Sequence, residues 1–415
     1  MAIVAVAAVV SVFGVTGVAG ARVRHDARGV TSDSIKVGGL TDNLQPEAAA
    51  GAKVALDAAN DSGGVNGRTF DYSGGQNDQG DVSKSLALGK QLVQQNGVFA
   101  VVPVITPNAA NAEKFFEQQH VPFFGWAINT GFHNNKYGFG FTGSLVPPPP
   151  VKTAGSTWGA LIDKLYKSQG DSKGAKGKTA AVISEDNDSG KTGVKVIAAS
   201  AKAAGMKIVY EKASMPAPPA TVGDFSPFVS DFMTANNGKP ADVAFSVMSF
   251  NNTVGISKAL RAAGFPGVIT EPIAYDPRLV SAAKDEAVFV QYATPEAAPN
   301  NANMQKVVDT LKKYLPSDQQ ITQGVLSGYF SGDFFVKAVK KTGKNLTPEN
   351  LQKTAAKMTY QIKDVVGPTP FPDSFTYGAP CGSLVQSDGT AYQVKVEYSC
   401  YTNINIKTLK PIPQK

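Results

Sequence analysis

Histidine and cysteine are scarce in this chain, with three histidines and two cysteines in 415 residues. His25, His120 and His133 have no ligand spacing with Cys381 and Cys400, so the usual nitrogen–sulfur metal sites are not expected. No serine or cysteine nucleophile of recognisable motif lies near His120 or His133, and nothing resembles a paired-carboxylate site. Charged residues are only 18% of the total, and no basic run interleaves with aromatics as a nucleic-acid groove requires. The formal charge of +7 comes from scattered residues such as Lys337, Lys340, Lys341 and Lys344. It reads as a solvated basic surface, or as a mild attraction for anionic ligands or envelope polymers. Apart from the amino terminus, no stretch reaches the roughly 18 apolar residues that a membrane helix needs. One motif imitates a phosphate loop: Ser189-Gly190-Lys191-Thr192. The glycine required five residues before Gly190 is replaced by Glu185, whose carboxylate would repel phosphate. Metal, cofactor, nucleotide and nucleic-acid chemistry are therefore not expected, and no catalytic group stands out.

What is abundant describes a soluble export product. Hydrophobic residues make up 42%, and 41 glycines and 26 prolines suit many short strand–helix connections. The length suits two domains. Residues 2–19 are mostly apolar and small, and Ala19-Gly20-Ala21 is a small-x-small cleavage pattern before Arg22 and Arg24. Residues 1–21 read as a secretory signal, with an uncleaved amino-terminal anchor as the alternative. An extracellular or periplasmic location follows, membrane-associated in the second case. In such a chain Cys381 and Cys400 read as one disulfide, contributing about 3 kcal/mol by closing a short loop, or else as two buried thiols.

Periodicity predicts alternating strands and helices. Strands are expected at 35–40, 69–72, 98–104 and 121–124, with helices at 47–60, 81–96 and 111–118 between them. Asp81 is a candidate N-cap, and Gly63-Gly64 stops the first helix. Four consecutive prolines, Pro147 to Pro150, mark a stiff break. A second unit follows, with strands at 179–183, 207–210, 242–245 and 268–270 and helices at 190–204 and 252–263. A strand at 287–292, helices at 303–314 and 326–342, and a strand-like tail at 392–397 complete the pattern. It predicts an α/β fold of doubly wound parallel sheets, with ligands at the carboxyl ends of the strands.

The order of several segments resembles the leucine/isoleucine/valine-binding family of type I periplasmic binding proteins. Ile35-Lys36-Val37-Gly38 is similar to its first strand, and residues 58–67, ending Gly63-Gly64-Val65-Asn66-Gly67, to its NAAGGVNG segment. Asn77-Asp78-Gln79-Gly80-Asp81 resembles its acidic DDQGDP turn. Gln91-Leu92-Val93, the run 98–102, Val121-Pro122-Phe123 and Gly328-Tyr329 followed by Thr342-Gly343-Lys344 continue the likeness. Together these span residues 34 to about 375. The resemblance implies two lobes joined by three hinge crossings, near 142–150, 270–275 and 365–371. Lobe one would hold 34–142 plus 276–366, and lobe two 143–272 plus 367–415, with ligand in the cleft between them.

The family's ligand turns fall on Pro103 to Asn108 and on Gly125 to Thr130. The resemblance makes Thr106 and Asn108 candidates for holding a ligand carboxylate with nearby amides; the alternative is that they cap the following helix. In the second turn Trp126, Ala127 and Asn129 are candidates, with Trp126 able to wall an apolar pocket or to pack in the hinge. On lobe two Ser189 stands where the family often has a cleft tyrosine, and the family's strand-end aromatic maps to about Phe250, or to Ser249. The family's ammonium-gripping acid falls near Pro272, one step from Glu271; Tyr275 could add an apolar wall. Without a carboxylate in the cleft an ammonium would be buried unpaired, so a carboxylate, amide or apolar ring compound is expected rather than an amino acid. The resemblance implies a non-enzymatic, monomeric receptor that delivers a small solute to an ABC permease. A sensor of the same fold docking to a signalling partner is the alternative; a secreted enzyme is disfavoured.

Overall fold

The computed structural model describes residues 27–413 except 44, 219, 272–274 and 282–283. The apolar amino-terminal segment and Pro272 lie outside the described residues.

The first half builds one parallel sheet. Its strands are β1 (Ser34–Thr41), β2 (Thr69–Asn77), β3 (Ala100–Ile105), β4 (Phe123–Gly125) and β5 (Gly138–Gly140), in the order β2-β1-β3-β4-β5. The connecting helices are α1 (Ala48–Asp61), α2 (Val82–Lys90), which runs into a π turn at Gln91–Gln95, and α3 (Ala110–Gln118). Strand β3 is buried along its whole length, as a central strand covered on both faces must be. Pro103 lacks an N–H for the ladder, and the β3–β4 register shifts between Val101 and Val104 around it. Asp81 caps α2 by accepting from the Lys84 amide at 2.7 Å.

The second half builds a seven-stranded sheet. Its members are β7 (Thr179–Glu185), β8 (Lys207–Met215), β9 (Val243–Val247), β10 (Val268–Glu271), β11 (Ala287–Val290), β14 (Cys381–Ser387) and β15 (Tyr392–Cys400), in the order β15-β14-β11-β10-β9-β7-β8. Here β7 to β11 are parallel, whereas β14 and β15 add an antiparallel edge that the doubly wound expectation did not include. Cys381 lies opposite Cys400 in that edge, and the two are joined as a disulfide. The helices over this sheet are α4 (Thr157–Ser168), α5 (Asp188–Ala203), α6 (Ser226–Thr234) and α7 (Phe250–Ala262). A small ribbon pairs β6 (Thr153–Gly155) with β16 (Asn403–Asn405).

The remaining elements return to the first sheet: α8 (Ala302–Tyr314), α9 (Gln323–Thr342), α10 (Pro348–Ala355), and the hairpin of β12 (Thr359–Ile362) with β13 (Val366–Pro370). Helix α9 lies against α1 so closely that a Cβ on Gly328 would collide with the Ala48 carbonyl, which explains bare glycine there.

Two boundaries differ from those expected. Residues 276–366 were expected wholly in lobe one, yet β11 pairs with β10 and β14 in the second sheet. Its alternating side chains serve two cores: Val288 and Val290 join the large core under the first sheet, and Ala287 and Phe289 join the core of the second. The chain passes to the first lobe after β11, where Tyr292 donates to the Gln323 carbonyl at 3.2 Å. Residues 367–375 were expected in lobe two, yet they stay on lobe one. The Thr369 hydroxyl donates to the Phe141 carbonyl at 2.7 Å, and Phe371 packs 5.3 Å from Phe139. The return comes just before Cys381. Both differences have one cause: β11 and β13 are short runs whose burial is settled by distant partners, not by local pattern.

Candidate functional site

Strands of both sheets end at a shared cleft, as expected for open parallel sheets. A cavity of about 680 Å³ lies there, walled by residues of both lobes. From the first lobe come Asp42 after β1, Asn108 after β3, and Trp126 and Ile128 after β4. From the second come Glu185 at the end of β7, Ser189 in the first turn of α5, and Ser249 and Asn252 at the start of α7. The cavity then extends into the second lobe between α4 and α5, where Trp158, Val196, Ile197 and Phe289 line it and Cys381 stands beside them. Both tryptophans of the chain therefore face the same space.

Side chains cross the cleft. The Trp126 indole N–H donates to Gln291 Oε1 at 2.6 Å. The Ser189 hydroxyl donates to the Ile128 carbonyl at 3.4 Å, and the Thr192 hydroxyl fastens the crossing segment by donating to the Pro147 carbonyl at 3.2 Å.

Glu185 is the most strongly organised polar group of the wall. Only 5% of it is exposed. Its Oε1 accepts from the Ser249 amide at 3.0 Å, the Ser249 hydroxyl at 2.5 Å and Asn252 Nδ2 at 2.7 Å. Such bonds replace the water that a buried carboxylate has lost. Among the described residues its Oε2 has only Asn187 Nδ2, at 3.4 Å. On the other wall Asp42 Oδ1 accepts from the Gln45 amide at 3.1 Å.

Of the residues singled out in the sequence, Asn108, Trp126 and Ser189 line the cavity, whereas Thr106, Ala127, Asn129, Phe250 and Tyr275 do not. The Thr106 hydroxyl donates to Asp78 Oδ2 at 2.7 Å and accepts from the Asn108 amide at 3.2 Å, so it fastens the loop. Asn129 is buried: Nδ2 donates to the Thr106 carbonyl at 2.9 Å and to Glu113 Oε1 at 2.8 Å, and Oδ1 accepts from the Gly131 amide at 2.7 Å. It props the turn from behind. Ala127 is fully buried in the core beneath that turn. Phe250 packs at the border of the large core. The Tyr275 hydroxyl donates to Glu296 at 2.9 Å, and burial together with that carboxylate pushes its pKa well above the usual range.

Glu271 does not reach the cleft. It is buried in the second lobe, where the Ser257 hydroxyl lies 2.7 Å from its Oε1 and 2.8 Å from Glu286 Oε2. One hydroxyl hydrogen cannot serve both carboxylates, so one carboxyl carries the proton that completes the chain. Desolvation raises Glu271 well above the usual carboxylate range and Glu286 to about 7.

Sequence reading missed Glu185 and Asp42 as cleft residues and missed the inner arm entirely. Glu185 did carry a signal: it ends a βα strand at the carboxyl edge, where ligands sit. For the arm no local signal existed, since Trp158 lies on a helix that periodicity did not reveal. The inference that the cleft lacks a carboxylate is thereby corrected. Among the described residues no group of three or more His, Cys, Asp or Glu side chains could hold a metal ion, and no helix is long and apolar enough to cross a membrane.

The profile of a family described as periplasmic binding protein matches residues 34–391. No curated protein sequence matches this chain. Among solved structures, a fatty acid ABC transporter substrate-binding protein from Thermomonospora curvata is similar, with TM-score 0.71, 18% identity, and coverage of 94% of this chain and 97% of that one. A branched chain amino acid ABC transporter protein from Thermus thermophilus with bound valine has TM-score 0.68, 15% identity, and coverage of 90% and 98%. A solute binding protein from R. palustris in complex with benzoate has TM-score 0.66, 15% identity, and coverage of 89% and 98%.

Proposed function

Because the chain belongs to the periplasmic binding protein family, whose members bind solutes, we propose that it captures a small molecule between its lobes outside the membrane and delivers it to an ABC permease. It acts as a monomeric receptor and not as an enzyme. The observation that carries this reading is the 680 Å³ cavity with walls from both lobes, bridged by Ser189 and Ile128. A space of that size falls within the range of ligand sites, with apolar walls for the body of the ligand and a few polar groups to orient it.

The size also bears on the ligand. At about 30 Å³ per water, the cavity has room for roughly twenty waters. A free amino acid would leave most of it filled by solvent. The inner arm lies wholly within the second lobe, so closing the hinge does not abolish it. A larger molecule with an apolar body fits better.

A thermal-shift screen tests the proposal. The panel holds branched and aromatic amino acids, their deaminated acids, amides, short peptides, medium-chain amphiphiles and steroid-like compounds. Ligand that binds only the folded state raises the melting temperature by mass action. A shift with larger apolar compounds and none with amino acids is the expected result. A panel without any shift would sink the proposal.

A further inference from the structure

The proposed capture function leaves the chemistry of the ligand open, and the lining residues narrow it. Among the described residues around the cavity there is no lysine, arginine or histidine, although the chain carries 40 lysines and arginines. The carboxyl side chains that do line it are those of Asp42 and Glu185, both almost fully buried. In a cavity partly shielded from water, an anion beside two carboxylates is repelled more strongly than it would be in bulk solvent.

Helix amino ends are the usual alternative anchor for an anion. On the second lobe two of those ends carry bonds from the chain's own side chains. The amino end of α5 has its Gly190 amide bonded to Asn187 Oδ1 at 2.7 Å, with Asp188 in its first turn. At α7 the Ser249 amide is bonded to Glu185 Oε1 at 3.0 Å. Asp188 and Glu185 thus already place carboxylates at the amino ends of α5 and α7. Glu185 keeps acceptor capacity, for among the described residues its Oε2 has a single long contact and a carboxylate oxygen accepts more than one bond.

The polar and apolar parts lie along one helix. Helix α5 begins just after Glu185 and lines the cavity with Ser189, Gly190, Gly193, Val196 and Ile197. These fall at i, i+1, i+4, i+7 and i+8, a single helical face. From Ser189 to Ile197 that face is roughly 12 Å long at 1.5 Å rise per residue. It changes along its length from hydroxyl and glycine to bare hydrocarbon, and Trp158 and Phe289 close its far end.

We infer that the ligand is an amphiphile with a hydrogen-bond-donating head, a hydroxyl or an ammonium group rather than a carboxylate, seated with its head on Glu185 and its apolar body along α5 toward Trp158 and Phe289. The inference rests on the capture function proposed above. It differs from the anionic ligands named for two of the similar structures, a fatty acid and benzoate.

Three probes with one tail separate the heads: 1-decanol, decylamine and decanoate, titrated into the full chain at pH 7. Tryptophan emission reads occupancy and calorimetry checks it. Decanol and decylamine are expected to bind at least tenfold tighter than decanoate. Glu185→Gln is expected to cut the preference for decylamine over decanoate by tenfold or more. Decanoate binding as tightly as the other two in the unmodified protein, for instance at the amino end of α3, overturns the inference whether or not the variant folds. So does binding of none of the three while another member of the thermal-shift panel binds. If nothing in either set binds, the capture function itself fails, which is a distinct result.

Discussion

The indole N–H of Trp126, on the first lobe, is bonded at 2.6 Å to Oε1 of Gln291, where the chain leaves the second sheet. Both residues line the cavity, so the bond fixes the wall and spans the lobes together. Trp126→Phe leaves the Gln291 oxygen without its donor and is expected to cost about 1–3 kcal/mol of stability. Chemical denaturation checks this, and Gln291→Leu in the Trp126→Phe background should recover part of the loss, since both polar partners are then gone.

Asn129→Ala separates a prop from a ligand contact. Its three buried bonds predict a loss of about 1–3 kcal/mol in stability. Affinity for any ligand found in the screen should change less than threefold when measured well below the melting temperature. A large loss of affinity in a stable variant would return Asn129 to the ligand site.

The wall at Trp158 has its own reporter. In Trp126→Phe the only remaining tryptophan is Trp158, inside the second lobe. Ligands that fill the inner arm should shift its emission, whereas ligands confined to the cleft, such as valine, should not.

Buried carboxyls set the pH dependence. Desolvation pushes Glu113 up to about 8 and Glu286 to about 7, while Asn129 at Glu113 opposes the shift only in part. Their pKa values are higher folded than unfolded, so the native state holds more protons through this interval and stability falls as pH rises from about 4.5 to about 8. Glu113→Gln keeps an acceptor for Asn129 and should flatten this slope, read as denaturation midpoint against pH.

Removing the disulfide with Cys381→Ala and Cys400→Ala is expected to cost about 3 kcal/mol, because the pair stands 19 positions apart in the chain. Since Cys381 also lines the cavity, affinity for a long-tailed ligand should fall more than affinity for a short one.

Strands, helices and their order were legible wherever side-chain periodicity decides them, as in β1, α1 and α5. The cap at Asp81 and the pairing of Cys381 with Cys400 were legible as well. Elements held by distant partners were not: β11 shares its faces between two cores, and β13 stays on lobe one through Thr369 and Phe371. The site divided along the same line. Turn positions could be located, but whether Thr106 or Asn129 faces the cleft or supports it from behind depends on bonds to Asp78 and Glu113, which spacing along the chain does not reveal.

The arm between α4 and α5 has a kinetic meaning beyond its volume. Parting the lobes uncovers whatever lies in the cleft but leaves Trp158, Val196, Ile197 and Phe289 together on the second lobe. A tail lodged there must be withdrawn lengthwise, so unloading is a second event after opening, and its rate depends on how long the tail is.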